Sequence, residues 1–582
     1  MVFLSSERLN PGLLARFARR RFAPNRFDLV AVVLLGGLAV LILHGARQMN
    51  LPISHLPNAG VTLDPRRLPE YALRSTLRMF AAIIASLIFT FVVATLAAKS
   101  KKAELIIVPA LDILQSIPVL GFMTFTLTFF MGLFPGNELG EELASIFLVF
   151  TAQAWNMAFS FYQSLRTLPD DLIEVSRQFG LSPWRRFLRL ELPFATPALV
   201  WNTMMSMSGG WFFVVASEAM VVGSNTVTIP GIGSWLALAT ERQDLVAVAW
   251  AVAAMAVVIV LYDQLLFRPI VAWADKFRFE QTASEREPRS WFFDVLRRTR
   301  LLKRLGSPFA RMAAALPRPR LPALRPPRFA AAVSPRVFDR LWLIVVALGA
   351  AWGAVIIIRY LTAYISLHDA LTVCGLGLIT LLRVLVLIAL ASLVWVPIGV
   401  WIGLRPAWSQ QLQPLAQFLA AFPVNLLYPF AVMAIVGFHL DANIWLSPLI
   451  ILGTQWYIVF NVIAGASALP NDLKEAAGIF RLRSWQRWRD FILPGIFPYY
   501  VTGALTASGG SWNASIVVEV VRWGHTKLQA AGLGAFIANA TAAGDFPRVA
   551  LGMSVMSVFV ILLNRSLWRP LYAYAEKNLR LG

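Results

Sequence analysis

Two arginines and two glutamates stand in stretches of chain that are otherwise apolar: Arg78, Glu218, Arg383 and Glu519. A charge inside a membrane-length apolar run finds a partner, lines a cavity or meets a substrate. Arg78 with Glu218, and Arg383 with Glu519, are therefore expected as ion pairs, and contact with an anionic substrate is the competing role. Little else in the chain is equipped for chemistry. The five histidines, His44, His55, His368, His439 and His525, are scattered without metal-ligand or base–nucleophile spacing. No GxxxxGK[ST] phosphate loop occurs, so ATP hydrolysis by this chain is not expected. Cys374 is the only cysteine, which rules out an intrachain disulfide and a Cys-based metal site. No catalytic residue, metal or cofactor is expected.

The elements that hold these charges are apolar segments. With 58% apolar and 14% charged side chains over 582 residues, the chain cannot hide its apolar surface from water as a soluble globule. An integral membrane protein is expected, with the bilayer as its surroundings. About 20 helical residues cross the hydrocarbon, and twelve runs of that order fall into two sets of six. The first set lies near 28–46, 74–98, 105–131, 143–165, 194–222 and 245–267; the second near 340–360, 378–404, 411–437, 443–465, 495–521 and 548–568. Arg16, Arg19, Arg20, Arg21 and Arg26 precede the first run, but no small-residue cleavage site follows it, so it reads as a retained helix. The net charge of +21 sits between the segments rather than on one face, which argues against nucleic acid. Lys and Arg in the short loops put both termini in the cytoplasm. Lys99, Lys101 and Lys102 share that side, and an acidic loop with Glu138, Glu141 and Glu142, like Asp441, faces the other.

The two sets are copies. At an offset of 301, Trp155 matches Trp456, Trp211 matches Trp512, Glu218 matches Glu519, Asp244 matches Asp545, and the glycines of GIG at 231–233 recur as GLG at 532–534. Upstream the offset is 305, pairing Arg78 with Arg383, Pro109 with Pro414 and Pro118 with Pro423. An offset kept over such a length means two copies of one fold, and an even number of spans in each makes the copies parallel. The expected architecture is an all-α polytopic pseudo-dimer of twelve transmembrane helices. Residues 1–27 form a basic cytoplasmic N-terminus, 28–275 and 339–582 the two domains. Residues 276–338, with 15 Lys or Arg against 4 acids, form a basic Pro/Arg-rich linker.

One polar stretch also occurs twice: LPDDLIEVSRQFGLSPWRRFLRLELP at 168–193 and LPNDLKEAAGIFRLRSWQRWRDFILP at 469–494. Leu172, Ile173, Val175 and Phe179 among acids and bases predict a short amphipathic helix closed by Gly180. A second helix starts near Ser182-Pro183, and Leu192-Pro193 ends the element at the membrane. Such a helix-turn-helix with a partly apolar face is suited to a groove on another protein.

These residues resemble the cytoplasmic loop of inner-membrane permeases of binding-protein-dependent ABC importers, whose signature is Glu-Ala-Ala, a Gly a few residues on, and a Leu-Pro end. Glu475-Ala476-Ala477 and Leu493-Pro494 reproduce it in the second copy; Glu174, Gly180, Leu192 and Pro193 do so in the first. The chain departs from the pattern at Val175-Ser176, and at Arg481 where Gly would stand. The resemblance implies a coupling helix in each half, seated in a groove of one of two separate ATPase subunits. It further implies a soluble substrate-binding protein, a bacterial inner-membrane location, and a chain that forms the translocation pathway without being an enzyme. Ser75-Thr76-Leu77-Arg78, Thr380-Leu381-Leu382-Arg383 and the Pro118 and Pro423 segments look like the nitrate, taurine and sulfonate branch, which implies a small anion as substrate. A secondary transporter also has six plus six spans, but has no need of two groove-fitting loops.

Two expectations remain. SMSGGW at 206–211 and SGGSWN at 508–513 can serve close helix packing or line a pathway, with Trp211, Trp512 and Asn513 as the residues to follow. The non-equivalence of Gly180 and Arg481 predicts that the two coupling loops turn differently, because a left-handed backbone favours Gly.

Overall fold

The computed structural model describes residues 61–277, 290–299 and 335–579, except 116, 136, 223, 224 and 483, together with helical positions 36, 37 and 40. The N-terminus at 1–27, almost all of the expected segment at 28–46 and most of the linker lie outside the described residues. The rest falls into two compact units. The smaller takes Thr167–Val200 and the described part of Leu261–Ala332; the larger takes the described parts of Gly45–Arg166, Trp201–Val260 and Val333–Gly582.

In chain order the first copy contributes α1 (Leu68–Lys99), α2 (Lys101–Leu114), α3 (Met123–Leu133), α4 (Glu138–Arg166), α5 (Asp170–Gln178) and α6 (Leu192–Ser217). A hairpin of β1 (Ala219–Val222) and β2 (Asn225–Thr228) follows, then α7 (Ile232–Glu241) and α8 (Leu245–Tyr262). After α9 (Pro335–Tyr364), the second copy has α10 (Leu367–Gly403), α11 (Pro406–Ala421), α12 (Tyr428–Gly437), α13 (Ser447–Leu452), α14 (Gln455–Ser467) and α15 (Asn471–Ile479). It ends with α16 (Leu493–Val518), the hairpin β3 (Val520–Trp523) and β4 (Thr526–Gln529), α17 (Leu533–Ala543) and α18 (Phe546–Leu563).

Local chemistry sets these limits. Ser100 closes α1 by donating its backbone N–H to Leu96 O, and its hydroxyl accepts from Ala103 N to open α2. Pro118 and Pro423 each break an expected span: the chain is extended there, makes a short 3₁₀ turn and starts a new helix. The described chain is helical as expected apart from two short hairpins, which correct the ends of the fifth segments. AMVV and the Val520-Val521 that opens VVRW are apolar, so they read as the ends of the fifth segments, but the helices stop at Ser217 and Val518 and antiparallel strands pair Ala219 with Thr228 and Val520 with Gln529. The acidic loop is a second correction. Glu138, Glu141 and Glu142 lie in the first turns of α4, not in a loop.

Among the described residues, six helices are long and apolar enough to cross a membrane, or eight if each of two bent pairs counts as one span. Both bent pairs belong to the second copy. One bends by 77° between Pro414–Ala421 and Val424–Gly437, the other by 42° between Ala442–Leu452 and Gln455–Ser467. Within the larger unit the two copies share a core, where Val119, Leu120 and Leu148 of the first pack with Trp512, Ile516, Leu533 and Ile537 of the second. In the smaller unit the helix Trp291–Arg298 packs on Arg268–Ala274 and buries Phe292.

The repeat extends to helix irregularities. π-turns occupy Phe187–Glu191 and Asp263–Phe267, and again Trp488–Ile492 and Asn564–Trp568. Side chains there differ, FLRLE against WRDFI, yet the extra residue is in the same place.

Candidate functional site

The four charges form two knots at the hairpin ends of α6 and α16. Arg78 Nη1 donates to Glu218 Oε1 at 2.6 Å, and Arg383 Nη1 donates to Glu519 Oε1 at 2.5 Å. Each arginine also donates Nη2 to a carbonyl just before the next helix, Pro230 O and Ala531 O, both at 2.9 Å. The glutamates reach forward as well. Glu218 Oε2 accepts the backbone N–H of Gly233 at 2.6 Å, and Glu519 Oε2 that of Ala535 at 2.9 Å. Ser75 and Thr380 hydroxyls accept from Ile232 N and Leu533 N, so the first N–H groups of α7 and α17 are satisfied by side chains of α1 and α10 and by the glutamates that directly follow α6 and α16.

This geometry explains the glycine pairs. Gly231 and Gly532 have extended backbones open to any residue, but a Cβ at either would fall on the carboxylate of Glu218 or Glu519. A Cβ at Gly233 or Gly534 would fall on the backbone of Val215 or Ser515. The glycines bring a helix N-terminus down onto a buried carboxylate.

The copies differ around the knot. Arg74 donates to Glu138 at 3.1 Å and Glu142 at 2.8 Å, and Arg78 donates to Glu142 through Nε at 2.5 Å and Nη2 at 2.7 Å. Arg78 and Glu218 are fully buried. In the second copy Ile379 stands where Arg74 does, Arg383 keeps 10% of its side chain exposed, and Asn443 accepts from Ala531 N. A buried charge left without its partner costs about 3–5 kcal/mol, so each knot is a structural commitment. Among the described residues no His, Cys, Asp and Glu come together as a metal-ligand set.

The coupling turns are alike, which overturns the expected difference. Gly180 has φ +64° and Arg481 φ +51°, both left-handed. In the first, Leu181 N donates to Ser176 O at 3.1 Å and Gly180 N to Arg177 O at 2.9 Å; in the second, Leu482 N donates to Ala477 O at 3.1 Å and Arg481 N to Gly478 O at 3.0 Å. Both are the Schellman closure of a helix. Its two hydrogen bonds hold Arg481 in a conformation that costs a side chain about 1–2 kcal/mol. Glu174 and Glu475 are exposed, and Phe179 and Phe480 expose 79% and 77% of their surface. Ala477 is buried, Ala476 and Pro494 half-buried, Leu493 at the edge of exposure, and Leu192 and Pro193 half-buried.

A cavity of about 70 Å³ lies in the larger unit, where both bends of the second copy meet the fifth helices of both copies. Tyr428, Thr454 and Tyr457 line it from the second copy and Ser208, Gly209 and Phe212 from the first. Gly510 completes it, and no charged side chain takes part.

The family model of the binding-protein-dependent transport system inner membrane component matches twice, at residues 86–268 and 395–569. The chain belongs to this family. Both matches contain a coupling turn and a glutamate of a charged knot, so the duplication is a duplication of this permease family's own unit. Among curated proteins, the chain is 27% identical over 194 residues to the bicarbonate transport system permease protein CmpB of Synechocystis sp., covering 33% of this chain and 64% of that one. It is 27% identical over 185 residues to the nitrate import permease protein NrtB of Leptolyngbya laminosa, covering 32% and 63%. The glycine betaine/carnitine transport permease protein GbuB of Listeria monocytogenes is 25% identical over 171 residues, covering 29% and 54%. The chain thus spans less than two thirds of the length of these relatives.

Of the pathway residues expected in this permease fold, Trp211 and Trp512 are buried in the packing, Trp512 stacked on Phe559. Asn513 accepts Val119 N at 2.6 Å, at the Pro118 break. Neither tryptophan nor Asn513 lines the cavity. Reading the sequence missed Arg74, Glu138 and Glu142, whose i, i+4 spacing places each pair on one helix face. It also missed Tyr428 and Tyr457. The signal for Tyr428 was there: a hydroxyl five residues after a proline that interrupts a span.

Proposed function

We propose that the chain is the permease subunit of an ABC importer, two permease domains fused in one polypeptide, and that it forms the pathway by which substrate crosses the membrane. The observation that carries this reading is the doubled family match, each copy bearing the same left-handed coupling turn with an exposed aromatic ring at its tip. An exposed apolar face flanked by charge fits a groove on a partner. Domains at 28–275 and 339–582, joined by a basic linker at 276–338, account for both matches. A twelve-span reading counts the six long helices, the two bent pairs, the pair α2 and α3 broken at Pro118, the 26-residue helices α6 and α16, and residues 28–46.

In this reading two ATPase subunits, separate from this chain, seat the loops at 168–193 and 469–494 on the cytoplasmic side. Both termini lie on that side of a bacterial inner membrane, and a substrate-binding protein delivers cargo to the other. ATP binding and hydrolysis shift the permease between inward and outward access. The knots hold the ends of α6 and α16 rigid through that change. Relatives named for bicarbonate and nitrate support a small oxyanion as cargo, with sulfonates such as taurine as further cases. Co-purification with an ATPase is the first test. Glu174→Ala and Glu475→Ala should each lower transport-coupled ATPase activity, and normal coupling with both removed would end the coupling role.

A further inference from the structure

The cavity at the two bends of the second copy joins an unusual set of groups. Tyr428 is buried, 5% exposed, and its hydroxyl has no hydrogen-bond partner among the described residues. Native proteins rarely leave such a group unmade without reason. Tyr457 reaches across to the first copy, where a Cβ on Gly209 would lie 2.6 Å from its hydroxyl oxygen, and Gly510 leaves room for Thr454 on the facing side. The remaining hydroxyls are engaged: Ser208 donates to Met204 O, and Thr454 shares a hydrogen bond with Ser511. The free donors of the cavity are therefore the two phenols.

We propose that this cavity is a transit site for a small oxyanion, held by the hydroxyls of Tyr428 and Tyr457. The inference rests on the permease reading above and names the chemistry of its pathway. Two phenol donors in a space also lined by Phe212, Phe213 and Phe422 match a solute rich in hydrogen-bond acceptors. A primary ammonium cargo would call for carboxylates, and none line the space; a quaternary one would be held by aromatic faces alone and would leave both phenol donors unused. The size allows it. About 70 Å³ is more than one water needs and suits a solute of a few heavy atoms. The absence of a cation in the lining keeps binding weak, as a pathway requires for release. Broken helices bounding the site are the usual way a membrane protein presents polar groups at depth. The site is one-sided, since Met123 and Asn156 occupy the equivalent places in the first copy, and Asn156 is turned to Ser206.

The test uses the full chain with its ATPase and binding protein in proteoliposomes, and labelled nitrate, bicarbonate, taurine and glycine betaine as probes. Wild type should carry nitrate or bicarbonate ahead of glycine betaine. Tyr428→Phe should lower maximal uptake about tenfold, and Tyr428→Phe with Tyr457→Phe further, without lowering the melting temperature, because the lost oxygen was unbonded in the resting fold. A structural role would move uptake and melting together. Uptake at the wild-type rate in the double variant overturns the site while leaving the permease reading intact. Preference for glycine betaine overturns the oxyanion class. A wild-type chain that neither binds an ATPase nor transports any probe overturns the permease reading itself.

Discussion

The two copies keep the same hairpins, π-turns, coupling turns and arginine–glutamate pair, and they part in what surrounds them. In the first, Arg74, Glu138 and Glu142 close over Arg78, and α4 runs unbroken from Glu138 to Arg166. In the second, Arg383 has one carboxylate, and the fourth segment bends at Gly453–Thr454 beside the cavity. After duplication, the parts that fasten helix ends to each other stayed common. What diverged is how much each copy invests in rigidity and how much in a broken, polar interior.

Substitutions at the knots should separate the copies most. Arg78→Met leaves Glu138 and Glu142 to Arg74 alone and Glu218 with the Gly233 N–H but no arginine, and should lower stability by about 3–5 kcal/mol. Arg383→Met leaves Glu519 still bonded to Thr380 and the Ala535 N–H, for a loss of about 1–3 kcal/mol. Thermal unfolding of detergent-purified protein measures both, and equal losses would erase the difference. Next are Gly231→Ala and Gly532→Ala, which force a Cβ into each carboxylate and should cost about 1–3 kcal/mol. The loss should be larger at 231, where Glu218 is pinned by a fully buried arginine.

Smaller effects sharpen the picture at the breaks. Asn513→Ala removes the acceptor of Val119 N and should cost about 1–2 kcal/mol. Asn425→Ala loses only a 3.4 Å contact to Phe212 O and should cost under about 1 kcal/mol. Comparable in size and opposite in sign is Arg481→Gly, which should raise stability by about 1 kcal/mol, while Gly180→Arg lowers it by a similar amount. Unchanged melting in both would mean that the closure tolerates any residue.

Much of this was legible beforehand because it rested on spacing. The offsets of 301 and 305 carry the duplication, and Ser182-Pro183 starts a helix where expected, its hydroxyl accepting from Arg185 N. Arg78 and Glu218 announced each other because charges in apolar runs are rare. What was hidden had no periodic signature. Three glutamates near a helix start look like a loop until arginines from α1 bury two of them. The strands AMVV and VVRW cannot be told from span ends by hydropathy alone. Residue type argued against a left-handed Arg481, and two backbone hydrogen bonds outweighed it. The bend at Gly453–Thr454 contains no proline to mark it.

The π-turn at Trp488–Ile492 sits between the coupling element and α16. An α-helix advances about 100° per residue, so one extra residue turns everything beyond it by about that angle relative to an uninterrupted helix. The face that α16 gives to the core, with Ala504, Ala507, Ser511, Trp512 and Ser515, is therefore not the prolongation of any stripe on Ser484–Arg487. A helical wheel drawn through 484–518 assigns one end to the wrong side. In mechanical terms the helix is a shaft keyed about a quarter-turn out of phase along its length, and the same offset is built in at Asn564–Trp568.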